Sequence, residues 1–109
     1  MDKISTIEEF NAVLKENIAI LAYFSHEKCN VCKVLKPKIT EHFTTTFPKF
    51  KLVYVDVEKY PELSAANSIF TVPVIVVYFE GKESFRKARS FGIQELSDLV
   101  QRPYNLIFN

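Results

Sequence analysis

Ile7, Phe10, Val13 and Leu14 recur at the steps of a single helix face. Ser5 with Glu8 and Thr6 with Glu9 offer two overlapping capping boxes ahead of them. The pattern predicts a first helix running to about Glu16 and ended by Asn17. Ile18–Phe24 is then continuously apolar, as in a strand buried on both faces of a parallel sheet. Val31, Val34, Leu35, Ile39 and Phe43 restore the helical step and predict a second helix with these residues on its inner side. Pro37 should kink that helix, and Thr44-Thr45-Thr46 with Pro48 should close it. Leu52–Val57 reads as a second buried strand, and Tyr60-Pro61-Glu62-Leu63 as the start of a short helix with proline near its first position. Val72–Phe79 is a third strand headed by Pro73, a place where a strand tolerates proline. Glu80-Gly81 turns into Lys82–Ala88 as a hairpin. Ile93, Leu96, Leu99 and Val100 mark a closing helix that Pro103 should stop. The order is α-β-α-β-α-β-β-α, an α/β pattern. Its strand–helix–strand units imply parallel neighbours, and the hairpin adds an antiparallel edge.

Composition narrows the class. With 109 residues the chain fits one domain, residues 1–109, and at 48% hydrophobic it can bury an ordinary core. A net charge of +1 argues against nucleic acid as a partner. The lysines between Lys28 and Lys38 are flanked by Glu27 and Glu41 and read as a solvated helix face. Neither long apolar run could span a bilayer, so no membrane partner is expected. No apolar stretch follows Met1-Asp2-Lys3-Ile4, and a cytoplasmic location is expected. Reducing conditions there favour a catalytic, sensory or metal-binding role for a lone cysteine pair over a structural one.

Both cysteines lie in Cys29-Asn30-Val31-Cys32, where a strand hands over to a helix, which is a redox-motif signal. Within a regular helix, residues three apart sit about 5–6 Å apart at Cβ, beyond the roughly 3.5–4.5 Å of a disulfide. The pair fits best with Cys29 as the cap or first helical residue and Cys32 in the first turn. The Cys29 sulfur then faces unpaired N–H groups and the positive end of the helix dipole, which favour the thiolate. Cys29 is the expected nucleophile and Cys32 the resolving thiol. Lys28 and Lys33 flank the pair and either lower a thiol pKa by charge or point into water. His26 is a proton carrier, a metal ligand or a polar strand-end residue. With Cys29 and Cys32 it makes three zinc ligands where a structural site wants four. His42 lies about 15 Å further along a continuous helix, so no metal is expected.

Several other segments share their spacing with a known family. Val53-Tyr54-Val55-Asp56-Val57-Glu58-Lys59-Tyr60-Pro61 looks like the third strand and third helix start of thioredoxins. Ile69-Phe70-Thr71-Val72-Pro73 looks like their cis-proline loop, Gly81 like their hairpin glycine, and Phe91-Gly92 like their substrate-facing pair. Pro37 falls five residues after Cys32, where the family keeps its helix proline. The chain thus resembles the thioredoxin family over nearly its whole length. That resemblance implies a thioredoxin fold, a mixed central sheet with helices on both faces. It implies a thiol–disulfide oxidoreductase acting on protein disulfide substrates, with Cys29 and Cys32 catalytic and Val72, Pro73, Phe91 and Gly92 forming an apolar rim for the substrate chain. A cis Val72–Pro73 bond would turn the Val72 backbone towards an extended substrate strand. No bound cofactor is implied. Electrons would come from a reductase or a low-molecular-weight thiol, and the protein would act as a monomer.

The chain also departs from that pattern. Lys28 stands where the family has tryptophan, and Asn30-Val31 where it has Gly-Pro. Tyr23 replaces a buried aspartate, and Tyr54 the lysine beside it. Lys28, Tyr23 and Tyr54 favour an alternative, a non-catalytic redox-sensing or protein-binding module. The intact cysteine motif and Val72-Pro73 favour the enzyme. Four of the five residues Tyr104-Asn105-Leu106-Ile107-Phe108 are large and apolar, so this tail should pack on the domain or bury a partner surface.

Overall fold

The apolar run after Ile18 becomes the middle of a five-stranded sheet. In the computed structural model, which describes residues 1–89 and 91–109, the elements are β1 (Asp2–Lys3), α1 (Ile7–Glu16), β2 (Ala19–Ser25), α2 (Asn30–Thr46), β3 (Lys51–Asp56), α3 (Pro61–Ala66), β4 (Val74–Phe79), β5 (Lys82–Ala88) and α4 (Ile93–Phe108). The sheet order is β1-β3-β2-β4-β5. Every residue of β2 is buried, and its side chains alternate between two cores. Ala19, Leu21 and Tyr23 join Cys32, Ile39 and Phe43 of α2 and Leu96, Val100 and Tyr104 of α4. Ile20, Ala22 and Phe24 join Phe10 of α1 and Leu63 of α3. Both faces are apolar, which is why the alternation is invisible in the sequence.

The direction of β4 corrects the expected topology. β1, β3 and β2 are parallel, but β4 runs antiparallel to β2 as well as to β5. α3 has six residues, about 9 Å of helix, against about 20 Å for the strand before it. It is too short to return the chain along the length of the sheet. β4 therefore starts at the edge where β2 and β3 end: Val74 pairs with Phe24, and Asp56 with Ser25. Val72 and Pro73 are thereby delivered to the edge from which α2 departs.

Other boundaries were legible to different degrees. Thr6, rather than Ser5, takes the N-cap of α1: its Oγ1 accepts the Glu9 N–H at 3.0 Å and its hydroxyl donates to Glu9 Oε1 at 3.3 Å. β1 was not expected: its two exposed polar residues carry no pattern, and Asp2 is held by an ion pair with Lys51. α2 continues through Pro37, and α4 through Pro103, which was expected to stop it. Proline inside a helix costs roughly 3 kcal/mol. Beyond Pro103 that cost is opposed by Tyr104, whose ring lies 5.0 Å from Phe47 and 4.7 Å from Phe108, and whose hydroxyl accepts the Lys49 N–H at 3.0 Å. Tyr104 is buried and Ile107 and Phe108 half-buried, while Leu106 faces outward. Val31 and Val34, expected on the inner side of α2, are instead 61% and 59% exposed. The inner stripe is Cys32, Leu35, Ile39 and Phe43.

Candidate active site

The turn after β2 places Cys29 as the N-cap of α2, with φ −82° and ψ 108°. Its N–H donates to the His26 carbonyl at 3.2 Å, and its Sγ accepts the Cys32 N–H at 3.2 Å. Extended backbone at the cap brings the two Cα atoms to 5.2 Å, and Cys29 and Cys32 form a disulfide. The pair is asymmetric: Cys29 is half-buried, and Cys32 is 3% exposed. Cys29 is the more accessible of the two sulfurs. The backbone N–H at its sulfur and the helix terminus behind it favour negative charge there once the disulfide is opened.

Beneath the first turn lies Tyr23, fully buried, whose hydroxyl donates to the Cys32 carbonyl at 3.1 Å. Burial, with Tyr54 alongside, pushes its phenol well above the usual range. Tyr54 sits opposite it on β3, ring centroids 6.4 Å apart. Burial, and then the charges of Asp56 and Glu27, push Tyr54 up to about 12. Two neutral phenols thus occupy the ground beside Cys32. The Lys36 ammonium lies 4.1 Å from the centre of the Tyr54 ring, a cation–π contact that the sequence did not suggest. Lys36 is one helical turn after Cys32, which is the signal that could have found it.

Val72, Phe91 and Cys29 all pack against the core shared by α2 and α4. The Val72–Pro73 bond is cis, and Pro73 is buried. The Pro73 carbonyl accepts the Arg89 N–H at 2.8 Å, tying the head of β4 to the end of β5. Gly92 caps α4, with open space where a Cβ would stand. Lys28 and Lys33 are exposed. His26 Nδ1 accepts the Lys28 N–H at 3.2 Å and lies 3.5 Å from Glu58 Oε1. His42 is elsewhere, its Nε2 3.0 Å from Ser97 Oγ between α2 and α4. Among the described residues no three His, Cys, Asp or Glu side chains converge as metal ligands, and no helix is long and apolar enough to cross a membrane. Phe70, two residues before Val72 in the cis-proline loop, is 83% exposed, which its apolar ring does not suggest.

Comparison with known proteins agrees with this geometry. The family model described as Thioredoxin matches residues 2–102. The chain is 30% identical over 101 residues to thioredoxin-like protein YdfQ of Bacillus subtilis, covering 93% of this chain and 87% of that one. It is 24% identical over 101 residues to a thioredoxin of Chlamydia trachomatis, covering 93% and 94%. Among solved structures, a single-site mutant of a thioredoxin from Halobacterium salinarum superposes with a TM-score of 0.83 at 22% identity, covering 92% of this chain and 87% of that one. Oxidised mitochondrial thioredoxin 3 from Saccharomyces cerevisiae gives a TM-score of 0.83 at 19% identity, covering 93% and 94%. These two likenesses speak to the fold, which is the thioredoxin fold.

Proposed function

Since the chain belongs to the thioredoxin family and carries its thiol–disulfide oxidoreductase chemistry, we propose that it reduces protein disulfides, with Cys29 attacking and Cys32 resolving. The observation that carries this reading is the asymmetry of the pair: Cys29 is reachable at a helix N-terminus, and Cys32 is 3% exposed behind it. The Cys29 thiolate attacks one sulfur of the substrate disulfide. That S–S bond breaks, a mixed disulfide with Cys29 forms, and the other substrate sulfur leaves as a thiolate that takes a proton. Cys32 then loses its proton and attacks Cys29 Sγ, releasing the second substrate thiol and closing the Cys29–Cys32 bond. Two electrons have passed to the substrate. A reductase or a low-molecular-weight thiol returns them, and no bound cofactor takes part.

Val72, Pro73, Phe91 and Gly92 form the rim that holds the substrate chain. The packing of Val72 and Phe91 with Cys29 on one core, and the open space at Gly92, support this. The reading places the protein in the cytoplasm as a single-domain monomer, and a Cys29–Cys32 bond that uses both cysteines leaves none for a disulfide-linked dimer. Steady-state reduction of a protein disulfide, with a thioredoxin reductase as electron source, tests the proposal. Turnover that disappears in Cys29→Ser is the expected result. The two phenols beside Cys32 favour a second reading, a redox-sensing or protein-binding module. A disulfide that forms reversibly without turnover would select it.

A further inference from the structure

The fold treats the lysines of α2 differently. Lys33 and Lys38 are exposed, whereas Lys36 is half-buried. Its ammonium lies 4.1 Å from the centre of the Tyr54 ring, and it takes part in no ion pair among the described residues. A lysine withdrawn from water normally finds a carboxylate. A carboxylate would cancel most of the field of the ammonium. The face of a phenol holds the charge without neutralising it.

Lys36 stands one turn after Cys32 on the same side of the helix. Helical side chains lean back over the turn before them, so this charge runs towards the turn that holds Cys32. Cys32, Tyr23 and Tyr54 belong to one buried cluster. β2 and β3 bring the two neutral phenols to it. Leu96 and Val100 of α4, and Val72 before β4, are apolar. Asp56 and Glu27 act on Tyr54 from the other side. The Asp56 carboxylate is taken up by the N–H groups of Glu58 and Lys59 at 3.0 and 3.1 Å, and Glu27 is exposed to screening solvent. Lys33, next to Cys32, is screened in the same way.

We propose that Lys36 is a positioning residue for the resolving step, seated on Tyr54 so that its charge favours the Cys32 thiolate. The role rests on the exchange activity proposed above. In that step the Cys32 proton passes to water and the Cys32 thiolate attacks Cys29 Sγ. The bond from Cys29 to the substrate sulfur breaks, and that sulfur leaves as a thiolate. With phenols beside Cys32 in place of a base, a fixed positive charge eases the loss of the proton without having to accept it.

The first measurement needs no substrate. In Cys29→Ser protein Cys32 is the remaining thiol, and the ultraviolet absorbance of its thiolate is followed against pH. Adding Lys36→Met, which keeps an unbranched apolar stem, should raise the ionisation midpoint by about one pH unit. Lys36→Arg should hold it near the parent value. Lys38→Met, which removes an exposed charge from the same helix, should barely move it. The second measurement uses protein with both cysteines and a disulfide peptide. Rapid quenching should show the mixed disulfide resolving about ten-fold more slowly in Lys36→Met at neutral pH, and at the parent rate in Lys38→Met. A midpoint unmoved by Lys36→Met overturns the role, and so does one raised as much by Lys36→Arg or Lys38→Met, which would reflect packing or general charge. A midpoint that shifts as expected in a protein that exchanges no disulfide would instead overturn the exchange reading, and the role in resolution with it.

Discussion

The two ends of α2 treat apolar side chains in opposite ways. In its last turns Phe43 is buried, and Phe47 just beyond follows it, both close to aromatic neighbours: Phe43 to Phe50 at 5.3 Å and Phe47 to Tyr104 at 5.0 Å. Phe50 stacks on Tyr104 at 5.7 Å with an interplanar angle of 10°. In its first turns Val31 and Val34 face water, and Phe70 stands exposed in the loop before Val72. One helix thus joins a packed aromatic end to an end where apolar surface and a sulfur are left uncovered. Buried aromatic area stabilises the fold far from the cysteines. The exchange end can then remain open at little structural cost, and its exposed hydrocarbon is available for partners.

Substitutions at the two ends should separate stability from reactivity. Phe43→Ala removes a fully buried ring and should lower stability by about 3–5 kcal/mol. Urea unfolding would measure this, and the folded protein should still react at Cys29 at close to its original rate. A parallel loss of reactivity would break the comparison. Deleting residues 104–109 removes Tyr104 and Phe108 from the same cluster and should cost about 2–4 kcal/mol. A thermal melt unchanged by the truncation would show that the helix beyond Pro103 contributes nothing.

Smaller effects belong to the exchange end. The Tyr23 phenol, raised well above its usual range, keeps its proton across neutral pH and cannot take the one that the proposed resolving step removes from Cys32. Resolution of the mixed disulfide should accordingly be slow. Tyr23→Asp should speed it about ten-fold, a small part of what a placed base can give. Rapid quenching of the mixed disulfide separates this step from the attack by Cys29. A folded Tyr23→Asp protein that resolves no faster would show that another group carries the proton. The smallest effect concerns the loop that bears Phe70, whose Asn67 and Ser68 carbonyls accept from Arg86 at 3.2 and 3.3 Å. Arg86 holds the Glu83 carboxyl below its usual value through a hydrogen bond, partly opposed by desolvation. The folded value is the lower one, so the pair's contribution is present above the unfolded value of about 4.3 and is lost as pH falls through the folded one. The groups are largely exposed, which limits this to roughly a few tenths of a kcal/mol. Glu83→Gln should flatten that acid limb in urea titrations.

The cysteine site was legible because its information is local. The Cys29–Cys32 spacing at a strand–helix junction dictates a cap position, and Thr6-Glu9 dictates a helix start, with no reference to the rest of the chain. What was missed depends on distant partners. Whether β4 runs with or against β2 leaves the hydrophobic pattern unchanged, and only the brevity of α3 hinted at the answer. Pro103 would end an isolated helix, but Phe47, Lys49 and Phe50 hold Tyr104 from far along the chain. Val31 and Val34 lie on a stripe adjacent to Cys32 and Leu35, and two neighbouring apolar stripes cannot be ranked from periodicity.

The central claim is the division of labour between the two cysteines, and trapping tests it most directly. Reduced Cys32→Ser protein mixed with a disulfide substrate should accumulate a stable mixed disulfide, mapped by mass spectrometry to Cys29. The Cys29→Ser protein, whose remaining thiol is buried, should form little. An adduct forming on Cys32 of Cys29→Ser as readily as on Cys29 of Cys32→Ser would contradict the account.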